Sequence, residues 1–257
     1  MTGLLNRAKE IYSERGPREL LTRGFRQISY QITERFFGSR FCFRTQWVIN
    51  KLRYETASEP YEIEYIDPHS VQYRSVRAQQ STNSRWKDIG RIMDGDWDIV
   101  SKSPTYAIEN ELLYQAIEAH FERDVPWKHT EYVNKSLESL RRGGHEETWR
   151  AVVRNEEDLW ERCEQLDELY ERINKKGYKS KREVFKSQSS DPMRYYPRTF
   201  KYMIDEIMVD KTRSGEPLLV DGQHRLFLAK VCDVEEIPVL VVVRHKQWFK
   251  SHLISEN

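Results

Sequence analysis

An apolar run, Leu218, Leu219 and Val220, ends in Asp221 and Gly222, and the chain then enters a helical stretch that opens with Gln223, His224 and Arg225. Basic residues in the first turn of a helix sit at the positive end of its dipole, so charge stability alone does not favour them there. An anion reverses that argument. Free backbone N–H groups, the dipole, His224 and Arg225 can all converge on a phosphate. Asp221 then has three candidate roles: capping the helix, orienting His224, or holding a metal that the phosphate also binds. Without a ligand, the same residues are a helix start carrying surface charges.

A second chemistry-bearing cluster is Asp94, Asp96 and Asp98, set at alternate positions around Gly95 and Trp97. Three carboxylates so spaced can share a Mg2+ ion, or one of them can deprotonate a hydroxyl nucleophile. They can also form a turn that satisfies its own backbone. Arg244, His245 and Trp248 follow an apolar strand and are candidates to line the same cleft, because strand ends frame ligands. Trp127, Lys128 and His129 form a weaker cluster that either meets a nucleotide or packs its ring on the core. Zinc-protease, P-loop, hydrolase and dinucleotide-fold signatures do not occur.

The elements that must position these groups read as α+β. Glu62 to Asp67 alternates and runs into Pro68, a strand followed by a turn. Residues from about 75 to 200 read as a helical insertion, with clear helices at Asn110–Glu122 and Asn155–Asn174. In the second of these, Leu159, Cys163, Leu166, Tyr170 and Ile173 make one apolar stripe, read as core. Its end, Lys175, Lys176 and Gly177, offers cations to the negative dipole end and a glycine for a left-handed cap. Strands are expected at Tyr202–Val209 and Pro217–Val220, joined by a turn at Lys211–Glu216. A helix follows over Gln223–Val231, and then a fully apolar, β-branched strand at Ile237–Val243 suited to the middle of a sheet.

The chain of 257 residues carries 42 Lys and Arg against 41 Asp and Glu, a net charge of +1. That near-neutrality hides an uneven distribution. Residues 1–55 hold eleven basic and five acidic groups, leaving 31 and 36 for the rest. A basic head, at +6, thus precedes a mildly acidic body, at −5. Within the head, residues 3–36 read as helix broken near Gly16 and Pro17, and Phe36, Phe37, Phe41 and Phe43 intermingle with arginines. Such a segment either lies on an anionic membrane surface or packs on the body as a helical hairpin. The acidic body argues against DNA wrapping. No signal peptide is legible, the apolar run Ile237–Val243 is far too short to span a bilayer, and Cys42, Cys163 and Cys232 are dispersed. The expected setting is therefore cytoplasmic, peripheral on the inner membrane face if the head binds lipid.

The stretch from Val220 to Lys230, followed by Ile237 to Val243, resembles the signature of the ParB/sulfiredoxin superfamily. Tyr65 to Arg74, with its strand, Pro68 turn and terminal arginine, is similar to that superfamily's first motif box. The resemblance spans about 65–75 and 202–248. The overall layout is similar to uncharacterised archaeal and bacterial ParB-like proteins ending in a Val-Arg-His-x-x-Trp element, here Val243 to Trp248. Members of the superfamily include chromosome-partition CTPase clamps, sulfiredoxin and an ADP-dependent free-serine kinase. The resemblance implies a small mixed sheet with a large helical insertion, a ParB-like domain over 56–257 and a helical extension over 1–55.

It also implies a nucleotide phosphate held by Gly222, His224 and Arg225. Gln223, Lys230 and Arg74 are further candidates for nucleotide contact. Departures from the pattern narrow the activity. Gln223 stands where sulfiredoxin has its cysteine. Few residues follow Trp248, where the partition proteins carry a DNA-binding region. Ser70 stands where the serine kinase has its catalytic glutamate. The leading expectation is a nucleotide-binding, Mg2+-dependent phosphotransferase using a nucleoside triphosphate or diphosphate on a hydroxyl acceptor. In it Asp221, His224 and the acids Asp94, Asp96 and Asp98 form the catalytic set, and Asp221 with Asp96 holds the metal. The alternatives are a nucleotide-gated binding module without phosphate transfer, and a nuclease or DNA-modification factor.

Overall fold

The computed structural model describes residues 48–52, 63–77, 88–144, 146–147, 152–181, 183–184 and 206–255. The expected helix over 3–36, almost all of the 1–55 extension, and residues 202–205 of one expected strand lie outside the described residues. Eight strands and six helices carry the argument. They are β1 Ile63–Ile66, β2 Tyr73–Arg74, β3 Arg91–Met93, α1 Trp97–Ser101, α2 Leu112–Arg123, α3 Glu131–Arg141, β4 Glu146–Glu147, β5 Val152–Val153 and α4 Glu156–Lys176. The chain continues through β6 Ile207–Lys211, β7 Pro217–Asp221, α5 Gln223–Val231, β8 Ile237–His245 and α6 Lys246–Ser255.

The class is α+β, as the sequence predicts, and its centre is a six-stranded mixed sheet in the order β1-β8-β6-β7-β2. β8 is parallel to β6 and antiparallel to β1, while β7 is antiparallel to β6 and parallel to β2. The short β3 runs parallel to the end of β8, where Arg244 pairs with Ile92 on one side and Lys211 on the other. All nine residues of β8 are buried, which is why its composition is nearly continuous Val, Leu and Ile rather than alternating. The strand runs two residues further than expected, so Arg244 and His245 belong to it.

Alternate residues of the strands face the helices. Ile207, Val209, Leu219, Ile237, Val239 and Val241 share one hydrophobic cluster with Leu226 to Ala229 of α5, Leu113 and Ile117 of α2, and Leu159, Cys163 and Leu166 of α4. The apolar stripe of α4 is therefore core, with Tyr170 half-buried at its margin. Its start is capped as a helix start should be, the Asn155 side chain accepting the Asp158 N–H at 2.7 Å. Gly177 has positive φ (73°), but its ψ of 165° is not that of the expected left-handed cap.

Two connections position α5. Asp67 accepts the His69 N–H at 2.7 Å and starts a 3-10 turn over Pro68–Ser70, which carries the chain from β1 to β2 on the far side of the sheet. At the other connection, Gly222 (φ 89°, ψ 26°) turns β7 directly into α5. A Cβ at Gly222 would stand 3.0 Å from Ile207 Cα, so the backbone of β6 would have to shift by a few tenths of an ångström. Both the left-handed φ and the close approach require glycine. Gly222→Ala is expected to lower unfolding stability by about 2 kcal/mol, read from urea denaturation midpoints.

The opposite face of the sheet buries charge. Asp210 is 1% exposed and its Oδ2 accepts from Ser75 Oγ at 2.6 Å and from Arg77 Nη1 at 3.2 Å. Burial nevertheless pushes its carboxyl up to about 6, against the pull of Arg77 and Ser75. An unfolded aspartate titrates near 3.9, so folding takes up a proton in this window. The stabilisation contributed by Asp210 should be fully present below about pH 4 and be lost as pH rises through about 6. Asp210→Asn should flatten that part of the stability–pH curve. Glu206, whose carboxyl is also raised by burial, adds a contribution of the same sign, and His224, depressed to about 4, adds one of the opposite sign.

Candidate functional site

Arg74 and Gln223, 149 residues apart in sequence, meet at the start of α5, where Arg74 Nη2 donates to Gln223 Oε1 at 2.7 Å. β2 brings the arginine there because its two residues pair in parallel with Leu218 and Leu219, the strand that feeds α5. The contact also fixes the Gln223 amide. Arg74 has no acceptor, so the Gln223 oxygen must face it, leaving both hydrogens of the Gln223 amide nitrogen for another partner.

The first turn of α5 has no side-chain cap. Its N-cap is Gly222, with no side chain to offer. The Asp221 carboxylate accepts the Gly222 N–H at 2.8 Å and so stabilises the turn rather than the helix N–H groups beyond it. His224 follows, half-buried, and its Nε2 is shielded from solvent and has no hydrogen-bond partner among the described residues. Burial, then the guanidinium of Arg162, then that of Arg74 depress its pKa to about 4, against the pull of Asp221. The ring is neutral at pH 7. Arg162, Asp221 and Arg74 thus all act electrostatically on a neutral imidazole in the first turn of a helix whose N-cap offers no side chain.

Two residues of this site have no place in the motif reading. Arg162 lies on α4 and is 9% exposed. A charged residue beside the apolar positions Leu159, Cys163 and Leu166 is the signal that marks it. Glu111, at the N-cap position of α2, takes Arg74 Nε and Nη2 on its two oxygens at 2.9 and 2.6 Å. No local sequence signal marks it, because its partner is set by β2.

Other predicted members are elsewhere. Arg225 turns away from the helix start: Nη1 donates to Glu206 Oε2 at 3.1 Å, Nη2 to the Lys179 carbonyl at 3.0 Å, and the guanidinium lies 4.8 Å over Tyr178. It fastens α5 to the segment after α4. Lys230 is seven residues past Gln223 on a nine-residue helix, roughly 10 Å along the axis. Its ammonium, which burial destabilises, sits 5.8 Å from the Tyr114 ring centroid.

The acidic cluster is separated most clearly. Asp96 and Asp98 bind Arg213, which lies in the hairpin before β7, whereas Asp221 ends β7. The strand between them spans roughly 13 Å. Arg213 Nη2 donates to Asp96 Oδ1 and Asp98 Oδ1 at 2.8 Å each, and its Nε to Asp98 Oδ2 at 2.9 Å. Lys246 Nζ donates to Asp94 Oδ2 at 2.8 Å, and His245 Nε2 lies 2.9 Å from the Gly95 carbonyl oxygen. Burial works against charge on Asp98, but Arg213 overcomes it and holds the carboxyl at about 2. These carboxylates are therefore neutralised structural groups that lock the β6–β7 hairpin and α6 to the 94–98 loop.

Asp94, Asp96 and Asp98 cannot act with His224, and Asp221 and Asp96 cannot share a metal. Arg244 and His245 share this far end of the sheet, so they do not line the cleft at α5. Among the described residues, no group of three or more His, Cys, Asp and Glu side chains is arranged to hold a metal. Trp127 is 7% exposed and donates to Asp167 Oδ1 at 2.8 Å, so it packs on the core beside α4.

No family model, no curated protein and no solved structure matches the chain. Among the described residues no helix is long and apolar enough to cross a membrane.

Arg213→Ala should separate the two ends of the sheet experimentally. It leaves Asp98 without its cation, so the thermal midpoint should drop by several degrees. Anion binding at α5, followed by calorimetry below that midpoint, should be unchanged.

Proposed function

We propose that this chain is a nucleotide-binding protein of ParB/sulfiredoxin-like type, which holds the nucleotide's phosphates at the first turn of α5. The observation that carries the proposal is the meeting of Arg74 with Gln223. It joins the two separate stretches of ParB-like sequence at an uncapped helix start beside an unsatisfied, neutral His224. The backbone N–H groups of the first turn, the Gln223 amide and His224 bind the phosphate oxygens, with Arg162 and the Glu111-paired Arg74 beside them. Arg225 supports the site from behind rather than touching the ligand.

Of the activities compatible with such a site, a nucleotide-gated binding module fits this arrangement best, because three of the four acids expected to hold Mg2+ or activate an acceptor, Asp94, Asp96 and Asp98, are locked at the far end of the sheet. Mg2+ would then arrive with the nucleotide, coordinated chiefly by its phosphates. Phosphotransfer is the second reading, and Glu111 favours it. This carboxylate stands beside the phosphate position, within reach of a role as base toward an acceptor hydroxyl. The basic segment 1–55 would add contact with an anionic membrane surface.

A thermal-shift panel of ATP, ADP, CTP and GTP with Mg2+ tests the proposal. At least one nucleotide should raise the midpoint by about 5–10 °C at a hundredfold excess over its Kd, equivalent to about 2.7 kcal/mol. His224→Ala and Arg74→Ala should each remove most of that rise. No shift with any nucleotide, or an undiminished shift in both variants, contradicts it.

A further inference from the structure

We propose that Glu111 sets the specificity of the α5 site, turning away bare polyphosphate and admitting ligands that bring hydroxyl donors beside the phosphate, as a ribonucleotide does. This rests on the reading of the first turn of α5 as a phosphate site.

The argument begins with the Arg74 guanidinium. Its Nε and one hydrogen of Nη2 go to Glu111, and the other Nη2 hydrogen goes to Gln223. Only Nη1 has no hydrogen-bond partner among the described residues. Arg74 can therefore reach a phosphate oxygen through Nη1 while keeping Glu111, and the carboxylate stays in the site when a ligand enters.

Glu111 is also held in place from its own side of the chain. The preceding 3-10 turn, Ile108–Asn110, is tied to β2 by the Ile108 N–H, which donates to the Gln72 carbonyl at 3.0 Å, and by a bridge between Tyr73 and Ala107. Ile108 is 1% exposed. Shifting the Glu111 backbone would pull a buried residue from the core, so the carboxylate is placed from a fixed point.

Charge and lone pairs then define the ligand. The charge of Arg74 is already matched by the Glu111 carboxylate paired with it, so an incoming polyphosphate gains little from that cation. It must also sit against a fixed carboxylate that repels it. Each Glu111 oxygen accepts one hydrogen from Arg74 and keeps a further lone pair. The side chain is 25% exposed, so those lone pairs are reachable. A hydroxyl pair on the ligand would donate to them and turn a repulsive neighbour into a binding partner, which is how a buried polar group rejects analogues that lack the matching donor.

Calorimetric titration of the full chain can test this with ATP and CTP, their 2′,3′-dideoxy forms, and tripolyphosphate, all with Mg2+. The wild type should bind the better ribonucleotide about tenfold more tightly than its dideoxy form, and more tightly still than tripolyphosphate. In Glu111→Gln, tripolyphosphate should bind about tenfold more tightly than it does to wild type, and the ribo/dideoxy ratio should fall to about twofold or less. The wild-type comparison needs no variant. Equal wild-type affinity for tripolyphosphate and ribonucleotide overturns the proposal, as do ratios unchanged in Glu111→Gln, and either result leaves the phosphate site standing. If none of the probes binds the wild type, the phosphate reading falls and this proposal with it.

Discussion

The left-handed turn at Gly222 is the constraint on which the site depends. It lets β7 stop and α5 start within a single residue, with the helix pressed so closely on the sheet that a Cβ would meet the backbone of Ile207. Because the turn residue is glycine, the helix has no side-chain cap, and its first N–H groups need another partner. The neighbouring elements bring charged groups to that helix start. β2 delivers Arg74, the α2 start delivers Glu111, and α4 delivers Arg162 behind His224.

The same architecture explains how one sheet keeps two charged clusters apart. β7 spans the distance between the Arg213 hairpin and Asp221, so the acidic loop at 94–98 and the basic helix start occupy opposite ends. At the acidic end Asp96 and Asp98 share Arg213 and Asp94 pairs with Lys246, and the charges fasten elements together. At the α5 end the charges are arranged around an unsatisfied group.

How much of this was legible in the sequence depended on whether the signal was local. The α5 helix, the turn before it and the central strand β8 were readable because composition and turn chemistry act over a few residues. The stripe of α4 was readable for the same reason. Glu111 was not, since its role comes from a strand pairing between β2 and β7 that no spacing encodes. Asp94, Asp96 and Asp98 had metal-like spacing, but their actual partners, Arg213 and Lys246, are more than a hundred residues away. Arg225 fitted the motif by position, yet the helix rotates it toward Glu206 and Lys179, about 100° from His224.

The central claim is that an anion completes the surroundings of His224. The most direct measurement is the titration of the His224 ring by NMR, with and without saturating nucleotide. Without ligand, burial and two guanidiniums should hold its pKa at about 4. With a phosphate bound beside it, the midpoint should rise by at least one unit, because the anion favours the protonated ring. Binding should correspondingly strengthen as pH falls toward that raised value. A midpoint that stays at about 4 under saturating nucleotide would place the ligand elsewhere and contradict the account.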